Sequence, residues 1–180
     1  MVNDGDYCYN NCSGYCCTKY TVIITCRDII RILKNTPLKP LDFLMLFNAN
    51  EETSKYFPKI IINSEEVVIG LKQKQNNACI FFLDEIGMCG IHLYKPMVCH
   101  TYPFTLDSDD KIVRLENICP GDWVPTDING VKRYIHQAWI EMDDNKKKVE
   151  YWNQNKSNCS FQEFMKFLLG NESNNIEINK

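Results

Sequence analysis

Cys79-Ile-Phe-Phe-Leu-Asp-Glu-Ile-Gly-Met-Cys89-Gly-Ile-His-Leu-Tyr-Lys-Pro-Met-Val-Cys99-His-Thr-Tyr-Pro-Phe104 is the stretch whose reading decides the fold. Its three cysteines stand beside residues that turn or stiffen the chain. Gly87 and Gly90 flank Met88-Cys89, and Lys95-Pro96 and Tyr102-Pro103 bracket Cys99. Glycine allows tight turns and proline fixes φ, so the segment is expected to wrap around a metal or iron–sulfur centre. The N–H groups of the Gly87–Gly90 turn are expected to point at the Cys89 sulfur, giving the support that a metal thiolate needs.

Working outward, Tyr7-Cys-Tyr-Asn-Asn-Cys-Ser-Gly-Tyr-Cys-Cys17 adds Cys8, Cys12, Cys16 and Cys17. Their i, i+4, i+8 spacing suits one helix face, but Asn10, Asn11 and Gly14 favour turns. The stretch reads as a loop. Cys16 and Cys17 are neighbours with diverging side chains, which suits two adjacent sites or a polynuclear cluster better than one ion. On the other side of the opening stretch, Cys119 precedes Pro120-Gly121, a turn.

The chain has ten cysteines in 180 residues. Its first residues are acidic and lack the apolar run of a secretory leader. Runs such as Phe43–Phe47 and Ala78–Leu83 are too short to span a bilayer. A cytoplasmic protein is expected, and there thiols stay reduced, so metal binding explains the cysteines better than disulfides. Net charge is −3, and only four of the twenty basic residues are arginine. No basic face for nucleic acid is visible.

Periodicity supplies the scaffold. Tyr20–Thr25 reads as a strand, with Thr25 then capping a helix over Cys26–Lys34 through Asp28. Cys26 falls on that helix's apolar stripe and reads as a buried structural thiol. Pro40 opens a helix expected to reach Phe47. Lys59–Ile62, Val67–Lys72 and Cys79–Leu83 read as three strands of one antiparallel sheet, with turns at Asn63-Ser64 and Asn76-Asn77. Lys111–Leu115 is a further strand. Val131, Ile135, Ala138 and Met142 recur at helical spacing, extending towards Val149 and Trp152. Ser160 with Glu163 caps a last helix ending at Gly170, with Cys159 as a structural residue before it. The expected fold class is α+β: one cysteine-cluster domain over residues 1–170, with metal-binding loops, a short antiparallel sheet and C-terminal helices, followed by a polar tail over 171–180.

Setting Cys26 and Cys159 aside leaves Cys8, Cys12, Cys16, Cys17, Cys79, Cys89, Cys99 and Cys119 as metal ligands. Thiolates are soft donors suited to zinc, copper(I) or iron–sulfur clusters. Four per site is usual for structural zinc and for [4Fe–4S], so eight make two such sites, or one site with spare thiols.

These residues carry a resemblance. The cysteines ending in Cys16-Cys17, the run Cys79–Leu83, Cys89-Gly-Ile-His, Lys95-Pro96-Met-Val-Cys99-His-Thr-Tyr-Pro-Phe104 and the later Cys119-Pro-Gly resemble the YkgJ, or CxxCxxCC, family of zinc- or iron-chelating domains over residues 8–121. The resemblance implies metal binding. Some longer members join a similar iron–sulfur module to protein-lysine methylation, but this chain has nothing obvious beyond the module to carry that activity. The sequence also departs from the family pattern. Cys8-x3-Cys12-x3-Cys16 is one residue longer at each step, His92 replaces a tyrosine, and Lys95 and His100 replace arginines. Lysine keeps the charge but loses the bidentate fork.

Three functional classes follow: a structural or redox-inert zinc or [4Fe–4S] module, an enzyme using Lys95, His100, Tyr102 and Asp84 or Glu85 beside the metal, or a metal-trafficking protein acting with a protein or small-molecule partner. A radical enzyme of the S-adenosylmethionine type is excluded, because Cys12-x3-Cys16 misses the required two-residue gap. His92 and His100, within the motif, are minor ligand candidates. His136 reads as a partly buried polar residue on its helix.

Overall fold

The structure is a computed structural model that describes residues 14–115, 119, 125, 127–156 and 158–170. In chain order the elements are α1 (Tyr15–Lys19), α2 (Cys26–Asn35), α3 (Pro40–Phe43), β1 (Leu44–Asn48), α4 (Glu51–Tyr56), β2 (Ile60–Ile62), β3 (Glu65–Leu71), β4 (Phe82–Leu83) and β5 (Met88–Cys89). A 3₁₀ turn (His92–Tyr94) follows, then α5 (Met97–Thr101), β6 (Phe104–Leu106), β7 (Ile112–Arg114), α6 (Ile128–Lys156) and α7 (Phe161–Leu169). Helices with short antiparallel sheets make an α+β fold, as the periodicity implies. The chain forms two compact units, Met1–Val22 with Gln73–Ile140, and Ile23–Lys72 with Glu141–Lys180. No helix among the described residues is long and apolar enough to cross a membrane.

The second unit holds the larger sheet, ordered β1-β3-β2 and antiparallel throughout. Its β2–β3 hairpin turns on Asn63 and Ser64, at φ 50° and 66°. Two successive positive-φ residues suit a two-residue hairpin, whose turn must match the right-handed twist of the strands. Val67, Val68, Ile69 and Leu71 of β3 are all buried, as expected of the central strand. The outer strand β2 is tied down by α6. Asn153 accepts from the Ile61 N–H at 2.9 Å and donates to the Lys59 carbonyl at 2.8 Å, while the Trp152 indole N–H reaches the Ile61 carbonyl at 2.8 Å. Backbone groups that would otherwise form an open edge are thereby satisfied. The Trp152 ring also meets Phe164 edge-on at 5.0 Å between centroids.

Helix α2 begins at the expected capping box. Thr25 Oγ1 accepts from the Asp28 N–H at 3.2 Å, and Asp28 Oδ2 accepts from the Thr25 N–H at 2.9 Å. Asn145 of α6 takes the Cys26 N–H at 2.9 Å, satisfying another of the amides that a helix start leaves open. Arg31 bridges Asp28 and Glu141. Ser160 and Glu163 form the second expected capping box, opening α7.

Four local expectations are corrected. Tyr20–Thr25 is not a strand: it makes a single bridge, Ile23 to Gly70, plus the Ile24 N–H to the Ile69 carbonyl at 3.0 Å. The helix opened by Pro40 stops at Phe43, because Leu44–Asn48 pair instead with Val67–Leu71 of β3. Cys79–Leu83 does not join that sheet; only Phe82-Leu83 is strand, and it pairs with Met88-Cys89. Finally, Tyr15–Lys19 is a helix where a loop is expected, so Cys16 and Cys17 are helical residues. Gly14 ends the turn-forming composition just before it. Cys8, Cys12 and the tail 171–180 lie outside the described residues.

Cys26 is 2% exposed, and burial pushes its thiol up to about 12. Only the thiolate reacts with alkylating agents, and its share at pH 8 is on the order of one in ten thousand. Mass spectrometry after iodoacetamide treatment at pH 8 is therefore expected to find Cys26 unmodified in native protein and modified after denaturation.

Candidate metal centre

The first unit holds the described cysteines of the two sequence blocks, Cys16, Cys17, Cys79, Cys89 and Cys99. One apolar cluster of this unit joins Phe104 and Leu106 of β6 with Val131 and Ile135 of α6, and Ile112 packs against them; Ala78, Phe81, Phe82 and Ile91 are also buried. Much of its order comes from turns and backbone hydrogen bonds, which hold the cysteine-bearing segments at defined positions.

The first tie is between α1 and Cys79. The Cys79 N–H donates to the Cys17 carbonyl at 2.7 Å, bringing the end of the first cysteine block onto the start of the second. Gly14 makes this approach possible. It sits at φ +74°, and a Cβ there would lie 2.1 Å from Cε2 of Phe82. Glycine is required on both counts, since L side chains avoid that φ and the ring fills the space.

The second tie is the β4–β5 hairpin, which sets Phe82 opposite Cys89. The Phe82 N–H bonds the Cys79 carbonyl at 2.9 Å, so Cys79 and Cys89 belong to one folded loop. Lys74 fastens this loop through the Phe82 carbonyl and through Asp84, at 2.6 Å. That ammonium holds the Asp84 carboxyl below the usual carboxylate range. The two glycine amides of the turn are used by the backbone. The Gly87 N–H bonds the Leu83 carbonyl and the Gly90 N–H bonds the Phe81 carbonyl, both at 2.8 Å. Two-strand pairing consumes these donors, and it is the Phe81 N–H that reaches the Cys79 sulfur.

The third segment is α5, preceded by Pro96. The Cys99 N–H bonds the Pro96 carbonyl at 2.9 Å, and the helix ends where the Tyr102 N–H meets the Val98 carbonyl. The Tyr102–Pro103 peptide is cis. The Tyr102 ring lies 6.1 Å from that of Tyr20, and its phenol is raised above the usual range by burial and then by a hydrogen bond with Tyr20. His100 stacks on Tyr134 at 4.8 Å between centroids.

These ties bring Cys16, Cys79, Cys89 and Cys99 into electrostatic contact. Burial pushes the Cys79 thiol up to about 11, with Cys89 and Cys16 adding to the shift. Cys99 is half-buried as a residue, yet its thiol is enclosed densely enough that desolvation pushes it well above the usual range. Cys16, Cys89 and Cys79 push it further in the same direction. Thiols that resist each other's ionisation in one place form a set that a cation would stabilise. Among the described residues, no three or more His, Cys, Asp or Glu side chains are gathered closely enough to hold a metal ion as they stand. The donors nonetheless fit zinc or an iron–sulfur cluster: four soft sulfurs, drawn from three separate segments.

Two other expected ligands sit differently. Cys17 is half-buried on α1 and joins the neighbourhood through its carbonyl. Cys119 is half-buried, its carbonyl accepts from Arg114 at 2.5 Å, and its thiol acts on Tyr102 as Cys16 does. Cys159 lies in the second unit, where its carbonyl accepts the Asn63 N–H at 3.1 Å. His136 is a surface residue, 3.2 Å from Asp110 and edge-on to Trp139. The contacts of Gly14 with Phe82 and of Tyr20 with Tyr102 were not legible in the sequence, since neither pair has a local spacing signal.

A family model for the CxxCxxCC family, described as "Putative zinc- or iron-chelating domain", matches residues 7–120, more than half of the chain. The chain belongs to that family, a class defined by metal-chelating cysteines. No curated protein and no solved structure is a significant match to the chain.

The contrast between two glycines tests this construction. Gly87 also has a positive φ, +66°, but a Cβ there meets nothing within 4 Å. Gly87→Ala is expected to cost about 1 kcal/mol through backbone strain alone. Gly14→Ala adds displacement of the Phe82 ring and is expected to cost clearly more, as read from urea unfolding followed by circular dichroism.

Proposed function

We propose that this chain is a cysteine-cluster metal-binding protein whose centre is held by the thiolates of Cys16, Cys79, Cys89 and Cys99. The observation that carries this reading is the tying of the first cysteine block to the second, through the Cys79 N–H on the Cys17 carbonyl and the hairpin that sets Phe82 opposite Cys89, with Cys16, Cys79 and Cys89 near enough to Cys99 to raise its thiol. Membership of a zinc- or iron-chelating family supports it independently. Four thiolates are the complement of a structural zinc ion or of a [4Fe–4S] cluster. Cys8, Cys12, Cys17 and Cys119 complete the set of eight and supply a neighbouring centre or further ligands to the same one.

The chain's own residues have definite parts in such a centre. Segments α1, the Cys79–Cys89 loop and α5 deliver the sulfurs. The Phe81 N–H supports the Cys79 sulfur. Capture of a cation replaces four mutually hindering thiols with thiolates around a shared positive charge, so it releases protons and tightens the three segments together. A thiol-reducing compartment such as the cytoplasm would keep these ligands available.

Protein purified without oxygen is expected to contain stoichiometric zinc, or iron with acid-labile sulfide and a broad visible absorption band. Cys79→Ser and Cys99→Ser are each expected to lose most of that metal, whereas Cys26→Ser retains it. Wild-type protein that is free of metal after anaerobic isolation and folded by circular dichroism would sink the reading.

A further inference from the structure

The sheet β1-β3-β2 has two edges, and they are treated differently. At β2, Asn153 and Trp152 engage the backbone of Lys59 and Ile61. At β1 the described residues offer no such cover. The Lys72 N–H bonds the Phe43 carbonyl at 2.8 Å and the Ala49 N–H bonds the Glu66 carbonyl at 3.1 Å, which fixes the phase of the β1–β3 ladder. Residues along an antiparallel strand alternate between bonding one neighbour and facing the other side. Met45 and Phe47 therefore turn their backbone groups to β3, and Leu44, Leu46 and Asn48 turn theirs outward. The Leu44 N–H is taken by the Pro40 carbonyl. The Leu44 C=O, both groups of Leu46 and the Asn48 N–H form an open row among the described residues. Natural edges are commonly guarded by a lysine, a proline or a bulge. Leu44–Asn48 has none of these, its register with β3 is unbroken, and Met45 is 48% exposed.

The two ends of this edge carry opposite charge. Lys39 and Lys72 stand at its start, Lys72 on the Leu41 carbonyl, and Glu51 and Glu52 open α4 at its finish. Asp42 also lies at the start, where it caps α3 by accepting the Lys39 N–H at 2.7 Å. Lys55 lies a turn further along α4, over the Tyr56 ring. An apolar strand with one basic and one acidic end is complementary to itself when two copies run antiparallel.

We infer that β1 is a self-pairing edge: two copies of this chain join antiparallel through their β1 strands, continuing one sheet across a two-fold axis. An axis centred on Leu46 lets the two Leu46 residues exchange N–H···O bonds, and lets each Asn48 N–H reach the Leu44 carbonyl of the other copy. Leu46 then meets Leu46 on one face, and the exposed Met45 meets Phe47 on the other. Such cross-strand apolar pairs, and a thioether beside an aromatic ring, are favourable contacts. The same register brings Lys39 and Lys72 of each copy towards Glu51 and Glu52 of the other, as a self-complementary two-fold interface requires. A ladder of five residues buries well under the roughly 1,600 Å² of a standard interface. The dimer is accordingly reversible, and its population rises with concentration.

Sedimentation equilibrium of the full chain is measured at about 5 to 500 μM. The protein is isolated without oxygen and held under a reductant, so that thiols do not cross-link the copies. Wild type is expected to rise with concentration from the 21.1 kDa monomer towards twice that mass. Met45→Lys puts a guarding charge on the edge and is expected to weaken association at least about tenfold, with circular dichroism unchanged. The charged ends supply a second test at low salt, which stands even if Met45→Lys loses structure. Lys39→Glu and the double variant Glu51→Lys/Glu52→Lys are each expected to weaken self-association about fivefold, because like charges then face each other at both ends. Their equimolar mixture is expected to return to within about threefold of wild type, because opposite charges meet again. Recovery in the mixture supports antiparallel pairing, since two merely destabilised folds would not restore each other. Wild type that stays monomeric at the highest concentration would overturn the inference and leave the edge to another occupant. Association that persists unchanged in Met45→Lys and in both charge variants would also overturn it, placing the contact elsewhere on the chain.

Discussion

The hydrogen bond from the Cys79 N–H to the Cys17 carbonyl, 2.7 Å long, is the contact on which the cysteine-bearing unit turns. It joins two blocks that the sequence keeps far apart, and closing so long a loop costs conformational entropy that local contacts must offset. The surrounding geometry shows how. Gly14 lets α1 start directly against the Phe82 ring, Phe82 is anchored to the Cys79 carbonyl, and the same residue pairs with Cys89. One aromatic residue therefore spaces the first block, the start of the second and its middle. A side chain at position 14 would push this arrangement apart at its tightest point.

Electrostatics act in the opposite sense to these backbone ties. Bringing thiols together under cover raises the free energy of ionising any of them, as the shifts at Cys79 and Cys99 indicate. The centre proposed for these sulfurs requires thiolate. A bound metal cation would reconcile the two, since its positive charge makes close approach of the sulfurs favourable while the backbone sets their approximate positions.

The α+β class, the two capping boxes at Thr25 and Ser160, the Asn63-Ser64 turn and the long helix through Val149 and Trp152 were all legible in the sequence, because each depends on signals within a few residues. The misreadings share a cause in non-local pairing. Leu44–Asn48 has a proline-led helical start, but β3 offers it a complete ladder, and tertiary pairing outweighs a weak local preference. Cys79–Leu83 has the composition of a sheet strand, yet only Phe82-Leu83 pairs, in a hairpin with Met88-Cys89 whose turn the glycine at 87, with its φ of +66°, allows. The cysteines themselves were visible as candidates. Their grouping was not, since spacing along the chain carries no information on which sulfurs meet once flexible loops intervene.

The two units divide the work of folding along the same line. The second has the attributes of an ordinary core: a three-stranded sheet, buried Trp152 and Phe164, capped helices, and an edge strand tied by Asn153. Within it Cys26 is buried, and burial pushes its thiol up to about 12. The first pairs its described strands two by two, Phe82-Leu83 with Met88-Cys89 and Phe104–Leu106 with Ile112–Arg114. Isolated two-stranded hairpins are marginal in water, so these pairs have more to gain from a cross-link than the three-stranded sheet has. A metal held by thiolates of α1, the Cys79–Cys89 loop and α5, as proposed above, would be such a cross-link.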